Sequence, residues 1–413
     1  MKKDRIVITG MGAVTPVGIG VPAYWQSLVN GVGGVSQITR FDSSSLPVHI
    51  AAEVKDFDAT EFLPKKLVRE TDIFMHFALA AAQEALRESG CLDSVDPKRI
   101  GIVMGTSLSG ITTIAQTQQE CDEKQVYKVS PRFVPKVLGN IAASQIAIAY
   151  GIRGPSLTVN TACSSGVDAI GMASMLLKMG EADVVIAVGA ESVLRAIMVS
   201  GLAQSRALSM RNDMPETACR PFDLTRDGFV IGEGGGALVL EIEEHAQKRK
   251  ADVKAELLGY ASNTDGYHVT SPDPEGVGAI FAMEQALEKA GLRPEDIGYI
   301  NAHGTSTKVG DEMETVAIKK VFGDYAKKLP VSSTKGATGH LMGAGGITET
   351  IACIQAIREG MIPPTLNYQH PDPACDLDVV PNQARSAQIR VAMSNAFGFG
   401  GQNASVIVGK YEK

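Results

Sequence analysis

The chain repeats itself, and that restricts its fold more than any other feature. Residues 78–107 read ALAAAQEALRESGCLDSVDPKRIGIVMGTS, and residues 279–306 read AIFAMEQALEKAGLRPEDIGYINAHGTS. Each stretch has Ala and Leu at helical spacing, a glycine that stops the helix, a turn with acid and proline, a short apolar strand, and then Gly-Thr-Ser. The next elements also correspond. SLTVNTACSSG precedes one long helical pattern and LPVSSTKGATGHLMGAGG precedes another, while DGFVIGEGGGALVLE is matched by NAFGFGGQNASVIVG. A period of roughly two hundred residues is too long for a solenoid. It points to a duplicated α/β unit with parallel or mixed sheets, in a 413-residue chain too long for one core. The seam falls in the polar stretch EEHAQKRKADVKAE and divides the chain into units 1–250 and 251–413. No Pro-rich, Ser-rich or low-complexity linker separates them, so tight packing is expected, with sites where corresponding loops meet.

Several function classes drop out early. A net charge of −7 gives no general reason for binding nucleic acid or an anionic membrane, so any basic site is local. Asp4 and the glycines that follow interrupt a signal-peptide pattern, RIVITG reads as a first strand, and no apolar run is long enough to span a membrane. The six cysteines form no C-x-x-C pair, which suits reduced thiols in the cytoplasm, and the seven histidines are too scattered for a sequence-local metal site. GMGAVTPVG lacks the third small residue of a dinucleotide fingerprint, and IGEGGGA leads into a strand instead of a helix. A nucleotide cofactor, and with it an oxidoreductase, is not expected.

Three residues carry the chemistry. LTVN is strand-like, and Val167, Ile170, Ser174 and Leu177 share one face of a helix closed by Gly180, so Cys163 falls at a strand-to-helix turn. Unpaired N–H groups and the helix dipole favour thiolate there, and the same groups can hold an oxyanion. Ala162, Ser164, Ser165 and Gly166 leave room for a substrate; a packed thiol is the competing reading. His303, in NAHGTST, and His340, in GATGHLMGAGG, lie on loops that the repeat brings to one pole. Either alone reads more readily as a hydrogen-bonded structural histidine. Together with Cys163 they form a set for acyl transfer: a thiolate to carry the acyl group and imidazoles to steady negative charge. Lys335 stands opposite Cys163 in the repeat, either an electrostatic neighbour of the histidines or a solvated lysine. Asp311 and Glu349 are candidates for orienting this set, or simply for capping helices.

With these residues in hand, TACSSG, NAHGTST, SSTKGATGHLMGAGG and NAFGFGGQN resemble the four signatures of the elongating β-ketoacyl-[acyl-carrier-protein] synthases. The likeness runs in register along essentially the whole chain and is greatest to the synthases of bacterial fatty acid synthesis. It implies a thiolase-like α/β fold, with two duplicated α/β halves in a five-layered α-β-α-β-α sandwich, in a homodimer. It implies a decarboxylative Claisen condensation on acyl- and malonyl-loaded acyl carrier protein, with no cofactor and no metal. By this resemblance Cys163 carries the acyl group and His303 and His340 stabilise the enolate. Lys335 supports them, and Phe399 gates the site and shares an oxyanion hole with Cys163. Thr270, Ser271, Thr305 and Thr307 match positions along the pantetheine arm, and Leu108 and Phe133 match the acyl pocket near the dimer interface. Lys65, Lys66, Arg69, Lys128 and Arg206 match a basic surface for the acidic carrier.

Departures from the pattern are modest: Ser164-Ser165 replaces a common Ala-Thr, and Lys308 stands where proline is common. Asn301, Glu349, Ser394 and Asn395 match residues that hold a cation in some relatives. Rival readings are a chain-starting synthase, a polyketide ketosynthase, a thiolase and a non-catalytic chain-length partner. The histidine at 340 and the Phe399 turn count against the first. The absence of cysteine after residue 375 counts against a thiolase, and Cys163 counts against a non-catalytic partner.

Overall fold

A computed structural model describes residues 5–412. In the first half the frame strands are β1 (Ile6–Thr15), β2 (Ile100–Gly105), β3 (Ser156–Val159), β4 (Val184–Glu191) and β5 (Gly234–Ile242). In the second they are β6 (Ala255–Thr264), β7 (Tyr299–Asn301), β8 (Val331–Ser332), β9 (Val391–Gly398) and β10 (Gln402–Gly409). The first set is ordered β3-β2-β4-β5-β1 and the second β8-β7-β9-β10-β6. Strand directions repeat as well: the first three of each set run parallel and the last two join antiparallel. Ile6–Ile8 pair with Ala255–Leu257 and join the two sets at one edge.

The strands are nearly unbroken apolar runs because successive residues feed different layers. Val103 faces the middle of the molecule while Ile102 and Met104 face outward; Val406 and Ile407 divide the same way in the second half. Helix α1 (Ile73–Ser89) covers the outer face of the first sheet. Helices α3 (Val277–Ala290) and α4 (Lys308–Phe322) cover the second. Between the sheets lie α2 (Ser165–Lys178) and α5 (Gly345–Glu359), which complete a five-layered thiolase-like sandwich. The glycine stops of α1 and α3, Gly90 and Gly291, have φ of 62° and 69°, a conformation that favours glycine.

Both middle helices are buried, and Val167, Ile170, Ser174 and Leu177 of α2 all face inward. Their N-terminal turns touch. A Cβ at Gly346 would lie 2.5 Å from the Val167 nitrogen, and one at Gly166 would lie 2.9 Å from that of Ile347. No side chain fits at either position, so an alanine there would force the helices apart. The contact brings the starts of α2 and α5, and the loops before them, to one place.

The structure corrects one detail of the repeat. Gly343, not Lys335, is the counterpart of Cys163. Residues 160–164 join β3 to α2 and residues 333–344 join β8 to α5. Each connection ends in a 3₁₀ turn, Ala162–Ser164 or Met342–Ala344, whose first residue has positive φ (51° and 49°). Cys163 and Gly343 are the middle residues of these turns. The second connection is longer, and the extra chain forms a helical turn, Lys335–Thr338, that carries Lys335 into the interior.

Among the described residues, no helix is long and apolar enough to cross a membrane.

Candidate active site

Cys163 sits in a strained turn at the start of α2, half-buried and facing a cavity of about 660 Å³. One stretch of backbone crowds it. A Cβ at Gly398 would lie 2.9 Å from the Cys163 nitrogen, so only glycine lets the strand end at 398 come so close. The next residue, Phe399, points its backbone N–H at the sulfur. Burial pushes the thiol up to about 11, opposed by the charge of Lys335 and by that N–H. Burial thus works against the thiolate that the Lys335 charge and the Phe399 N–H favour.

His340 Nε2 lies 3.1 Å from Cys163 Sγ. The His303 ring stands edge-on to that of His340, centroids 5.3 Å apart, and edge-on to Phe397 on its other side. Both imidazoles are buried, and burial followed by the Lys335 charge holds both well below the usual histidine value, so both are neutral. Each has a buried Nδ1 with no hydrogen-bond partner. A buried N–H without an acceptor costs more than an idle lone pair, so this favours the tautomer with hydrogen on Nε2. Two neutral Nε2–H donors can thus serve one cavity.

Carboxylates hold these loops from behind. Glu314 of α4 accepts from the His303 and Gly304 N–H groups at 2.9 and 2.7 Å. Asp311 accepts from Ser306 N and Phe222 N at 3.1 and 2.8 Å, and burial pushes its carboxyl up to about 7. In the first half Glu191, at the end of β4, accepts from the backbone of Ser107 and Leu108. Lys335 donates to Glu349 in a buried ion pair beneath the histidines.

Two family models match in tandem: the N-terminal domain of β-ketoacyl synthases over residues 3–246 and the C-terminal domain over residues 254–369. The chain belongs to the β-ketoacyl synthase family. Curated relatives include the 3-oxoacyl-[acyl-carrier-protein] synthase 2 of Coxiella burnetii, 45% identical over 99% of both chains. The enzyme of the same name from Synechocystis is 44% identical over 100% of this chain and 99% of that one. Among solved structures, a β-ketoacyl synthase from Burkholderia phymatum superposes with a TM-score of 0.91 at 34% identity, covering 99% of this chain and 100% of that one. A ketosynthase solved with its type II polyketide acyl-carrier protein and bound to a hexaketide gives 0.92 at 32% identity, covering both chains completely.

In this β-ketoacyl synthase Cys163, His303, His340 and Phe399 line the cavity together with Leu108, Arg206, Thr270, Ser271, Thr305 and Thr307. Lys335 lies behind the wall, fully buried. Phe133 lies outside the cavity of its own chain, because its short helix Phe133–Val137 packs beside Gly110 at the start of helix Ile111–Lys124. Lys65, Lys66 and Arg69 share an exposed helix, Lys65–Glu70, which an ion pair from Glu70 to Arg132 ties to the segment with exposed Lys128. Of the five basic candidates only Arg206 lines the cavity.

Sequence reasoning missed Met198 and Leu202, which reach the cavity from helix Ala196–Gln204 at i, i+4 spacing, a signal that was available. It also missed Met342, whose side chain enters because of the positive-φ turn. Asn301 and Ser394 stand side by side on paired strands, and Asn301 Oδ1 and Ser394 Oγ are buried without partners. Those oxygens suit a hard cation or a water. Glu349 is taken by Lys335, and Asn395 by Ser405 and Glu314. Among the described residues no group of three or more His, Cys, Asp and Glu is placed to hold a metal.

Proposed function

We propose that the chain is an elongating 3-oxoacyl-[acyl-carrier-protein] synthase of fatty acid synthesis, working by decarboxylative Claisen condensation. The observation that carries this reading is the His340 Nε2 to Cys163 Sγ contact on a cavity floor that also holds a second neutral imidazole. The carrier as partner is supported by the names of the full-length relatives. The two halves divide the work: 1–250 takes the acyl group and 251–413 handles the malonyl unit.

In the first stage the Cys163 sulfur gives up its proton, attacks the acyl thioester carbonyl, and releases the carrier thiol, which takes a proton. The Cys163 and Phe399 N–H groups hold the oxyanion. In the second, the malonyl thioester loses carbon dioxide, and the electron pair of the broken C–C bond passes into an enolate. The Nε2–H groups of His303 and His340 donate to its oxygen. Neutral donors suit this step, since they stabilise the charge without surrendering a proton to the carbanion. The enolate carbon attacks the acyl-cysteine carbonyl, a C–C bond forms, the C–S bond breaks, and Cys163 is free with the chain two carbons longer. No oxidant or reductant is needed.

Thr270, Ser271, Thr305 and Thr307 offer hydroxyls for the pantetheine amides at the cavity wall. Lys65, Lys66, Arg69, Lys128 and Arg206 form the carrier surface, and Lys335 steadies the set from below. We further place the enzyme in the cytoplasm as a homodimer. Strand β3 is an exposed sheet edge carrying Leu157, and Leu138, Ile148, Met175 and Met179 are exposed on elements of the same half. An uncovered edge with this much apolar surface is poorly tolerated in a monomer. Leu108 and Phe133 would then line the acyl pocket at the subunit boundary.

Incubation with a long-chain acyl carrier protein, followed by malonyl carrier protein, tests the function. Intact mass should show an acyl adduct on Cys163 that is discharged into a 3-oxoacyl product two carbons longer. A poly-β-keto product would point to a polyketide ketosynthase, and no adduct at any chain length would refute both.

A further inference from the structure

The serine that follows the nucleophile belongs to a buried knot that the mechanism above does not use. Asp168, one turn into α2 and buried, receives Thr161 Oγ1 and Ser164 Oγ on its Oδ2, the latter at 3.0 Å. These residues bracket Ala162 and Cys163 on the strained turn. The other carboxylate oxygen accepts from Tyr260 OH at 2.7 Å. Tyr260 belongs to β6 of the second half and reaches α2 only because position 171 is glycine; a Cβ there would overlap the phenol ring. Ser262 Oγ, 3.0 Å from the phenol oxygen, completes its hydrogen bonding. Asp168 accepts from three hydroxyls, those of Thr161, Ser164 and Tyr260.

Such a knot fixes something specific. Ala162 holds φ of 51°, a conformation that costs a non-glycine residue energy and persists only where surrounding bonds over-determine it. Ser165 adds to the restraint, since its Oγ lies 2.9 Å from Thr161 N and 2.7 Å from Ala162 O. The turn sets the Cys163 sulfur between His340 Nε2 and the Phe399 N–H.

We propose that Asp168 and Tyr260 are positioning residues for the nucleophile: the hydroxyl-bound carboxylate clamps the Thr161–Ser164 turn, and the phenol locks that clamp to the second half. The inference deepens the reading of Cys163 as an acyl carrier and rests on it. The clamp acts on the turn and not on the histidine loops, so it separates the two half-reactions.

The test uses full-length Tyr260→Phe and Asp168→Asn proteins. Three rates are compared with the unaltered protein: alkylation of Cys163 by iodoacetamide, acyl transfer from acyl carrier protein, and carbon dioxide release from malonyl carrier protein. When the turn relaxes, the sulfur loses the Phe399 N–H and part of the Lys335 field that oppose its burial. Alkylation and acyl transfer should each slow about tenfold, while decarboxylation stays within about twofold. Unchanged alkylation in both variants, or decarboxylation falling in step with acyl transfer, would overturn the proposal. If Asp168→Asn does not fold, Tyr260→Phe decides alone. A parent protein that is alkylated at Cys163 but accepts no acyl group would refute the acyl-carrier role, and the alkylation rates would still decide whether the clamp exists.

Discussion

The two strand-to-helix connections, 160–164 and 333–344, begin and end on equivalent elements and do opposite things with the same geometry. Both close in a 3₁₀ turn opened by a positive-φ residue. The short one leaves no spare chain and presents a cysteine at the helix start. The long one places glycine at that point, tight against Glu191, and uses its extra residues to bury Lys335 and to swing His340 across to the cysteine. Duplication thus supplied two matching frames, and a difference in loop length set Cys163 on one and Lys335 and His340 on the other.

On the proposed division of work, the halves can be broken separately. The largest effect is expected from Cys163→Ala, which should abolish the acyl adduct and cut condensation by about 10⁴-fold, while carbon dioxide release from malonyl carrier protein persists. Loss of both reactions together would remove the distinction. His303→Ala breaks the other half. Losing one donor at the enolate oxygen should slow decarboxylation about 10²- to 10³-fold, with the acyl adduct still visible by intact mass.

Lys335→Met probes the long loop itself. It strands Glu349 as a buried, unpaired carboxylate, and the denaturation midpoint should fall by an amount equivalent to about 3 kcal/mol. The pH dependence sharpens this. His303 and His340 are neutral in the folded state, whereas in the unfolded chain they titrate at about 6.5. Unfolding below that pH takes up protons, so their contribution to stability is complete above about pH 6.5 and is lost as pH falls. Removing the Lys335 charge, the second cause of the depression, should make the slope of stability against pH shallower. A steeper slope would count against it. The smallest effect belongs to a surface outside the comparison. Lys65→Glu with Lys66→Glu should raise KM for acyl carrier protein several-fold at low salt and leave kcat unchanged, the difference fading as salt is added.

Much of this was legible in the sequence. The repeated helix, glycine stop and Gly-Thr-Ser carried the duplication, and strands alternating with helical patterns carried the parallel or mixed sheets. Cys163, His303 and His340 were visible because small residues surround them in turns where packing does not demand such chemistry. What was not legible depends on where chain length is absorbed. Counting from the strand sets Lys335 close to the position of Cys163; only the backbone shows that the extra residues lie ahead of the turn. The protonation of the cysteine was also hidden, since desolvation depends on walls that arrive from residues 398–399 and 340. The role of Ser164, a departure from the common pattern, needed the position of Tyr260 nearly a hundred residues away.

Helix α5 is buried along residues 345–357, with water reaching only its final turn. An element with no wet side has no intermediate home. During synthesis, α2 emerges long before the strands and helix that cover its inward face, and α5 itself has no complete surroundings until β9 and β10 are made. The first half is therefore expected to keep its inner face open until β9 and β10 have been made. It would become resistant to protease in a single late step, so that truncation even within the last strand would cost the whole molecule and not only one half.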